Sequence, residues 1–208
     1  GTQYYHYDAL GSVVALTDDA GDPVATERGE LLFRDYGVSG IMIFDLSRAL
    51  ERGRTLSIDF FPDIASDAFA TFMAERCSAL SSRTAETFFD GMLQSRVAVA
   101  VLRAAGIDSK APADELPAAT LAVLVKEFRL AVTGRGDASQ SQVTRGGTSV
   151  AEFDPRTLGS RLAPGVFAAG EVLDIDGRCG GFNLHWAWTS GIAAGESAAR
   201  FAANKEHS

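Results

Sequence analysis

The sequence predicts a mixed α/β chain, and three observations carry that prediction. β-forming residues cluster between turn signals from Tyr4 to Phe33, apolar stripes at helical spacing occupy the middle, and 12 of the 21 glycines fall between Gly134 and Gly195. With 208 residues, 46% apolar and 22% charged, the chain has material for one generous domain or two small ones. Neither a disordered chain nor a disulfide framework fits that composition.

In chain order, YYHY, VVALT, PVAT and ELLF read as strands of β-hairpins. The turn between the second and third is Asp19-Ala20-Gly21-Asp22, and Pro23 opens the returning strand, where its missing N–H costs least. Tyr36-Gly37-Val38-Ser39-Gly40 breaks the strand pattern. Ser39 is placed to cap a short helix that would use Ile41, Phe44 and Leu50, and RTLSIDFFPD reads as a further strand. Three helices are then expected: one with Phe69, Phe72, Met73 and Leu80 on a face, one with Phe88, Phe89, Met92 and Leu93 beyond a Thr84 cap, and one with Leu121, Leu124, Val125 and Phe128 after Pro117. Periodic apolar faces pack inward, so these are core stripes rather than a cofactor box.

Composition shifts near Thr133, and a domain boundary is expected there, with GRGDASQSQ as a connecting hairpin. The informative segment runs from Ala163 to Ala202. Val166, Phe167, Ala168 and Ala169 read as a short strand of the kind buried in a parallel sheet, ending at Gly170-Glu171. After Gly180-Gly181, a helix is expected from Asn183 through Leu184, Ala187, Trp188, Ile192 and Ala194. A strand, a glycine-rich turn and a helix together deliver unpaired N–H groups and the positive end of a helix dipole to one point, which suits an electron-rich or anionic ligand edge.

The net charge of −8 argues against a general nucleic-acid or anionic-membrane binder, although a local basic patch stays open. No apolar stretch reaches membrane-spanning length, and the first residues have no signal-peptide pattern. Two cysteines indicate a reducing compartment, so a cytoplasmic location is expected.

At these residues the chain resembles a known family. GELLFRDYGVSGIMIFDLSR (29–48), QVTRGGTSVAEFDPRTLGSRLAPGVFAAGEVLDIDGRCGGFNLHWAWTSGIAAG (142–195) and their order resemble the bacterial BaiN/YhiN-like FAD-dependent oxidoreductases, which include aminoacetone-oxidase-type flavoproteins. The resemblance covers roughly residues 25–203. It implies a Rossmann-like FAD domain split by an inserted domain, with residues 25–132 as the β-plus-helical insert and 133–208 as the C-terminal part of the FAD domain. It also implies FAD as cofactor: Gly170 and Glu171 on the ribityl side, Gly180, Gly181, Phe182 and Asn183 on the pyrimidine side, and Thr144, Gly146 and Gly147 at the ring face. No catalytic residue is assigned.

Two departures shape the expectation. The family's N-terminal GxGxxG turn, which binds the ADP half of FAD, occurs nowhere in this chain. The chain is therefore expected to be a C-terminal piece that binds FAD poorly alone and takes the N-terminal FAD-binding half as partner. A homo-oligomer through an exposed sheet edge is the other partner expectation; nucleic acid and membrane are not expected. Residues 4–24 instead resemble one Rhs/YD repeat, with a junction near residues 15–26. The rival readings are an interaction module built around that hairpin, or a subunit completed by a separate GxGxxG-bearing chain.

Single residues add little chemistry. Cys179 and Cys77 read as small apolar fillers, and His185 as a partly buried structural histidine. Trp186 and Trp188 point to opposite sides of a helix, so at least one packs. Asp174 and Asp176 read as turn formers ahead of Gly177. Three scattered histidines and no CxxC leave no structural zinc site, so no metal is expected.

Overall fold

The computed structural model describes residues 6–7, 11–136, 141 and 143–206. The chain divides into two compact units, residues 1–136 and 137–208. Most of the expected GRGDASQSQ hairpin lies outside the described residues, as do Tyr4 and Tyr5 of the first expected strand.

Unit 1 holds two antiparallel sheets. The smaller orders β1 (His6–Tyr7), β4 (Leu32–Arg34) and β5 (Gly37–Ser39), and the larger orders β3 (Pro23–Arg28), β2 (Val13–Thr17), β6 (Thr55–Asp59) and β7 (Phe128–Ala131). The β2–β3 hairpin forms where the turn chemistry places it. The Asp18 carboxylate accepts the backbone N–H groups of Ala20 and Asp22, both at 2.9 Å, and Pro23 sits at the irregular end of the ladder, opposite Thr17. Alternation sends Val14 and Leu16 of β2, and Leu56 and Ile58 of β6, into the core.

Helices supply the rest of that core. They are α1 (Ile41–Leu46), α2 (Ser66–Ala79), α3 (Ala85–Phe88), α4 (Ser95–Ala104) and α5 (Ala118–Lys126). Phe69 and Met73 of α2, Phe88 of α3, Val101 of α4, and Leu121 and Val125 of α5 are fully buried in one cluster with Phe60. Phe61 stacks on Phe69 at 4.9 Å between ring centroids. The loop after β6 is tied to α5 by Lys126, whose ammonium donates to the carbonyls of Phe61 (2.8 Å) and Ile64 (2.7 Å) and meets the Asp59 carboxylate at 2.7 Å.

Several expectations need correction. Phe128 does not continue the α5 stripe: the helix stops at Lys126, and Phe128 opens β7, paired with Ile58. Phe72 is exposed, turned away from the buried Phe69–Met73 side of α2. Gly40 rather than Ser39 stands at the N-cap of α1. Helix α4 was not anticipated. Its N-terminal N–H groups, Arg96 and Val97, are taken by the side-chain oxygen of Gln94, a residue type outside the usual capping set.

Unit 2 is built on one long helix, α6 (Phe182–Glu206), against an irregular segment with 3-10 turns at Val150–Glu152 and Gly170–Val172. Residues 166–169 do not form the expected parallel strand. Phe167 makes a single antiparallel bridge with Gly159, and Val166 is half exposed. A strand exists only through its neighbours' hydrogen bonds, and the described residues of unit 2 offer isolated bridges rather than a ladder. No helix among the described residues is long and apolar enough to cross a membrane.

Candidate functional site

The expected site residues fall in unit 2, where three sets of contacts shape the segments that carry them. In the first, Thr148 and Leu173 form a parallel bridge: the Thr148 N–H donates to the Val172 carbonyl (2.8 Å) and the Asp174 N–H to the Thr148 carbonyl (2.9 Å). Gly147 makes this approach possible. A Cβ built there would lie 2.8 Å from backbone atoms of Val172, Leu173 and Asp174, so only a bare α-carbon fits. Gly147→Ala is expected to push the two segments apart and to cost unit 2 about 1–3 kcal/mol. Thermal unfolding of the variant should show an earlier transition for unit 2 with that of unit 1 unchanged.

In the second set, Gly170 is pinned to α6. Its carbonyl accepts the Trp186 indole N–H at 3.2 Å, its N–H donates to the Ser190 hydroxyl at 2.9 Å, and that hydroxyl donates to the Trp186 carbonyl at 2.5 Å. Ser190 is buried, so these bonds operate away from water, where an unmade one would be costly. Trp186 is thus the packing tryptophan of the pair, while Trp188 is 74% exposed.

The third set closes the loop from Gly177 to Asn183. The Asn183 side-chain oxygen accepts the Gly177 N–H (2.7 Å) and its amide NH2 donates to the Gly177 carbonyl (3.0 Å). Both ends of the amide are used on the backbone of one residue. Asn183 therefore fixes the loop shape, and what the loop offers to a ligand is backbone. Cys179 is half-buried within this loop.

Between Gly177 and the helix, Gly180 and Gly181 are exposed at φ of 119° and 91°, values that side-chain-bearing residues rarely adopt. A Cβ at Gly181 would meet nothing within 4 Å. The first intrahelical bond of α6 runs from the His185 N–H to the Gly181 carbonyl (2.9 Å), so the amides just before it lie at the positive end of a 25-residue helix. Phe182 beside them is 64% exposed and Glu171 is exposed as well. His185, expected to be partly buried, is exposed, because the inward face of α6 is taken by Trp186, Ser190 and Ala194. Thr144 and Gly146 are exposed upstream of the Thr148 bridge. Sequence reasoning missed Trp186 and Ser190 as positioning residues; their i, i+4 spacing on the small-residue face of the helix was the available signal.

A flavin's pyrimidine edge is electron-rich, so the donor set it needs is backbone N–H at a helix start with no side chain in front. Gly180, Gly181 and the first turn of α6 meet that need. Elsewhere in unit 2, the Asp154 carboxyl is held below its usual range by the backbone N–H groups of Arg156 and Thr157, which it accepts at 2.9 and 3.0 Å. A lowered carboxyl stabilises its turn above the ordinary carboxylate range and loses that contribution only as pH falls through the lowered value.

Comparison with known proteins matches residues 9–197 to the HI0933-like protein Rossmann domain family. The match begins inside the stretch likened to a YD repeat and includes the whole β2–β3 hairpin. The chain is 31% identical over 185 residues to a 3-dehydro-bile acid delta(4,6)-reductase of Clostridium scindens, covering 85% of this chain and 45% of that protein. It is 28% identical over 172 residues to a ribosomal RNA dihydrouridine synthase of Escherichia coli, covering 81% of this chain and 42% of that protein. A ribosomal RNA dihydrouridine synthase of Haemophilus influenzae is 23% identical over 173 residues, with 82% of this chain and 42% of that protein covered. The chain spans about half the length of the curated relatives it matches.

Proposed function

The chain belongs to the HI0933-like Rossmann-domain family, a flavin-type oxidoreductase family, and on that premise we propose that it supplies the ring-side wall of an FAD site in a reductase of carbon–carbon double bonds. The resemblance read from residues 29–48 and 142–195 agrees with that family. The observation that carries the reading is the open turn at Gly180-Gly181, set by the Asn183 clamp at the start of α6.

In this reading the N–H groups at the start of α6 hold the pyrimidine edge of FAD and favour its electron-rich form. Gly170 and Glu171 lie along the ribityl chain, with Trp186 and Ser190 fixing Gly170 against the helix. Thr144, Gly146 and Gly147 border the ring face. FAD supplies hydride or electron transfer when bound. The acceptor class follows from the relatives: a delta(4,6)-reductase of a 3-dehydro bile acid and a dihydrouridine synthase each concern, by name, hydrogens added across a double bond. A C=C bond conjugated to a carbonyl, in an enone or a uracil ring, is the shared chemistry.

The ADP half of FAD needs a GxGxxG turn that these 208 residues do not contain. A partner segment carrying that turn completes the site, and the outward face of α6 is where it docks. Phe182, Leu184 (70% exposed), Trp188 and Ile192 are exposed there. The test is to purify the chain alone and together with such a segment, and to record the visible flavin absorbance. Strong absorbance in the pair and little in the lone chain is expected. Equal flavin retention with and without the segment, or none in either sample, would overturn the reading.

A further inference from the structure

The loop that leads to the Gly180-Gly181 turn contains a chemically labile step. Asp176 is followed by Gly177, and a glycine nitrogen has no side chain beside it to hinder attack on the preceding carboxyl. Asp174, two residues earlier, is followed by Ile175, whose branched side chain shields its nitrogen. Of the two aspartates in this loop, only Asp176 has an open route to cyclisation.

Packing explains why glycine stands at position 177. A Cβ there would lie 3.0 Å from the Asn183 Oδ1 and 3.1 Å from the Phe182 Cβ, closer than ordinary contacts. Asn183 needs that closeness for its two bonds, accepting the Gly177 N–H at 2.7 Å and donating to the Gly177 carbonyl at 3.0 Å. The fit that disfavours a side chain at 177 therefore leaves the main chain with its least shielded sequence. The same bonds also restrain it. The Gly177 N–H belongs to the peptide plane joining residues 176 and 177, and its carbonyl to the plane joining 177 and 178, so one side chain holds the planes on both sides of the glycine. Cyclisation requires the Gly177 nitrogen to turn towards the Asp176 Cγ and give up its proton, and the bond to Asn183 must break first.

We propose that Asp176-Gly177 is a site of aspartate isomerisation held in check by the Asn183 amide, so that loss of this lock converts Asp176 to isoaspartate. In the reaction the Gly177 nitrogen bonds to the Asp176 Cγ, the Cγ–OH bond breaks, and the hydroxyl leaves with the amide proton as water. The product is a five-membered succinimide. Water then opens the ring: attack at Cγ returns aspartate, and attack at the former main-chain carbonyl leaves Gly177 joined through the side chain of residue 176. No oxidant or further reactant enters. The isoaspartate adds a methylene to the main chain just before Gly177. On the reductase reading this misaims the Gly180-Gly181 turn; the modification itself does not rest on that reading, and it is tested without flavin.

The experiment is to hold the full chain at neutral pH and body temperature for several weeks and follow isoaspartate by site-resolved peptide mapping. Asp90-Gly91, the other such step in the sequence, lies in unit 1 and serves as internal reference. Wild-type chain should accumulate little isoaspartate at position 176. N183L removes both bonds and should accelerate it about tenfold, the factor to which about 1.4 kcal/mol of lost hydrogen bonding corresponds. The rate at Asp90 should not change. D176E/N183L should form none at position 176, because a glutamate would have to close a slower six-membered ring. W186F loosens unit 2 at Gly170 but leaves Asn183 in place, and it should keep the wild-type rate at Asp176. Hydrogen exchange of the wild-type chain tests the lock without any substitution: the Gly177 amide should exchange more slowly than that of the exposed Gly180. A wild-type rate at Asp176 in N183L, equal acceleration in W186F or at Asp90, or exchange at Gly177 as fast as at Gly180 would overturn the proposal. Any of these results leaves the reductase reading standing, since none of them involves the cofactor.

Discussion

Gly181→Val in the completed protein is expected to abolish flavin retention while both units remain folded. Two effects act together. At φ of 91° a β-branched residue is strained by about 1–3 kcal/mol, which twists the turn that aims the first amides of α6. The new side chain also projects into the open space beside those amides, where Gly181 now leaves nothing within 4 Å. Flavin absorbance of the purified variant, read beside its thermal unfolding, checks the prediction. The core of unit 1 shares no residue with this turn, so its transition should not move. Full flavin retention by the variant would mean that the turn does not face the cofactor.

Trp188→Asp should behave oppositely in the two contexts. In the chain alone the side chain is 74% exposed, and a surface substitution there should change stability by no more than about 0.5 kcal/mol. In the completed protein the same position would be covered by the docked segment, and an unpaired carboxylate buried there costs several kcal/mol. Co-purification of the two pieces should then fail, and flavin absorbance with it. Trp186→Phe is the contrasting variant, since it removes the indole bond to Gly170 from inside unit 2 and should lower stability in the lone chain. Unimpaired co-purification of Trp188→Asp would place the docking face elsewhere.

The reach of the sequence differed between the two units. In unit 1 the β2–β3 hairpin, β6, α2 and α5 were legible because each carries its own signal: turn chemistry at Asp18–Pro23, alternation in TLSID, and periodic apolar residues in the helices. Helix α4 also had a signal, in Val97, Ala98, Val101 and Leu102, but it lacked a familiar cap and went unread. Strand β7 had almost none. FRLA is four residues long, and its partner β6 lies some seventy residues earlier in the chain. Residues 166–169 err in the other direction, with an apolar run in sequence and, among the described residues, no ladder beside it.

For the candidate site, the glycines, the long helix and their order could be read directly, and the family followed from their arrangement. The roles of individual atoms could not. Asn183 has the type and place of a ligand contact, yet its amide is spent on Gly177, and Gly147 is bare because a backbone passes 2.8 Å from where its Cβ would be. Trp186 and Trp188 are the same residue two positions apart, one locking Gly170 and one facing outward. Turn type, helix period and charge depend on neighbours along the chain, so the sequence alone determined them. Which amide is free and which tryptophan is covered depend on segments brought together from far apart, and only the tertiary structure decided those.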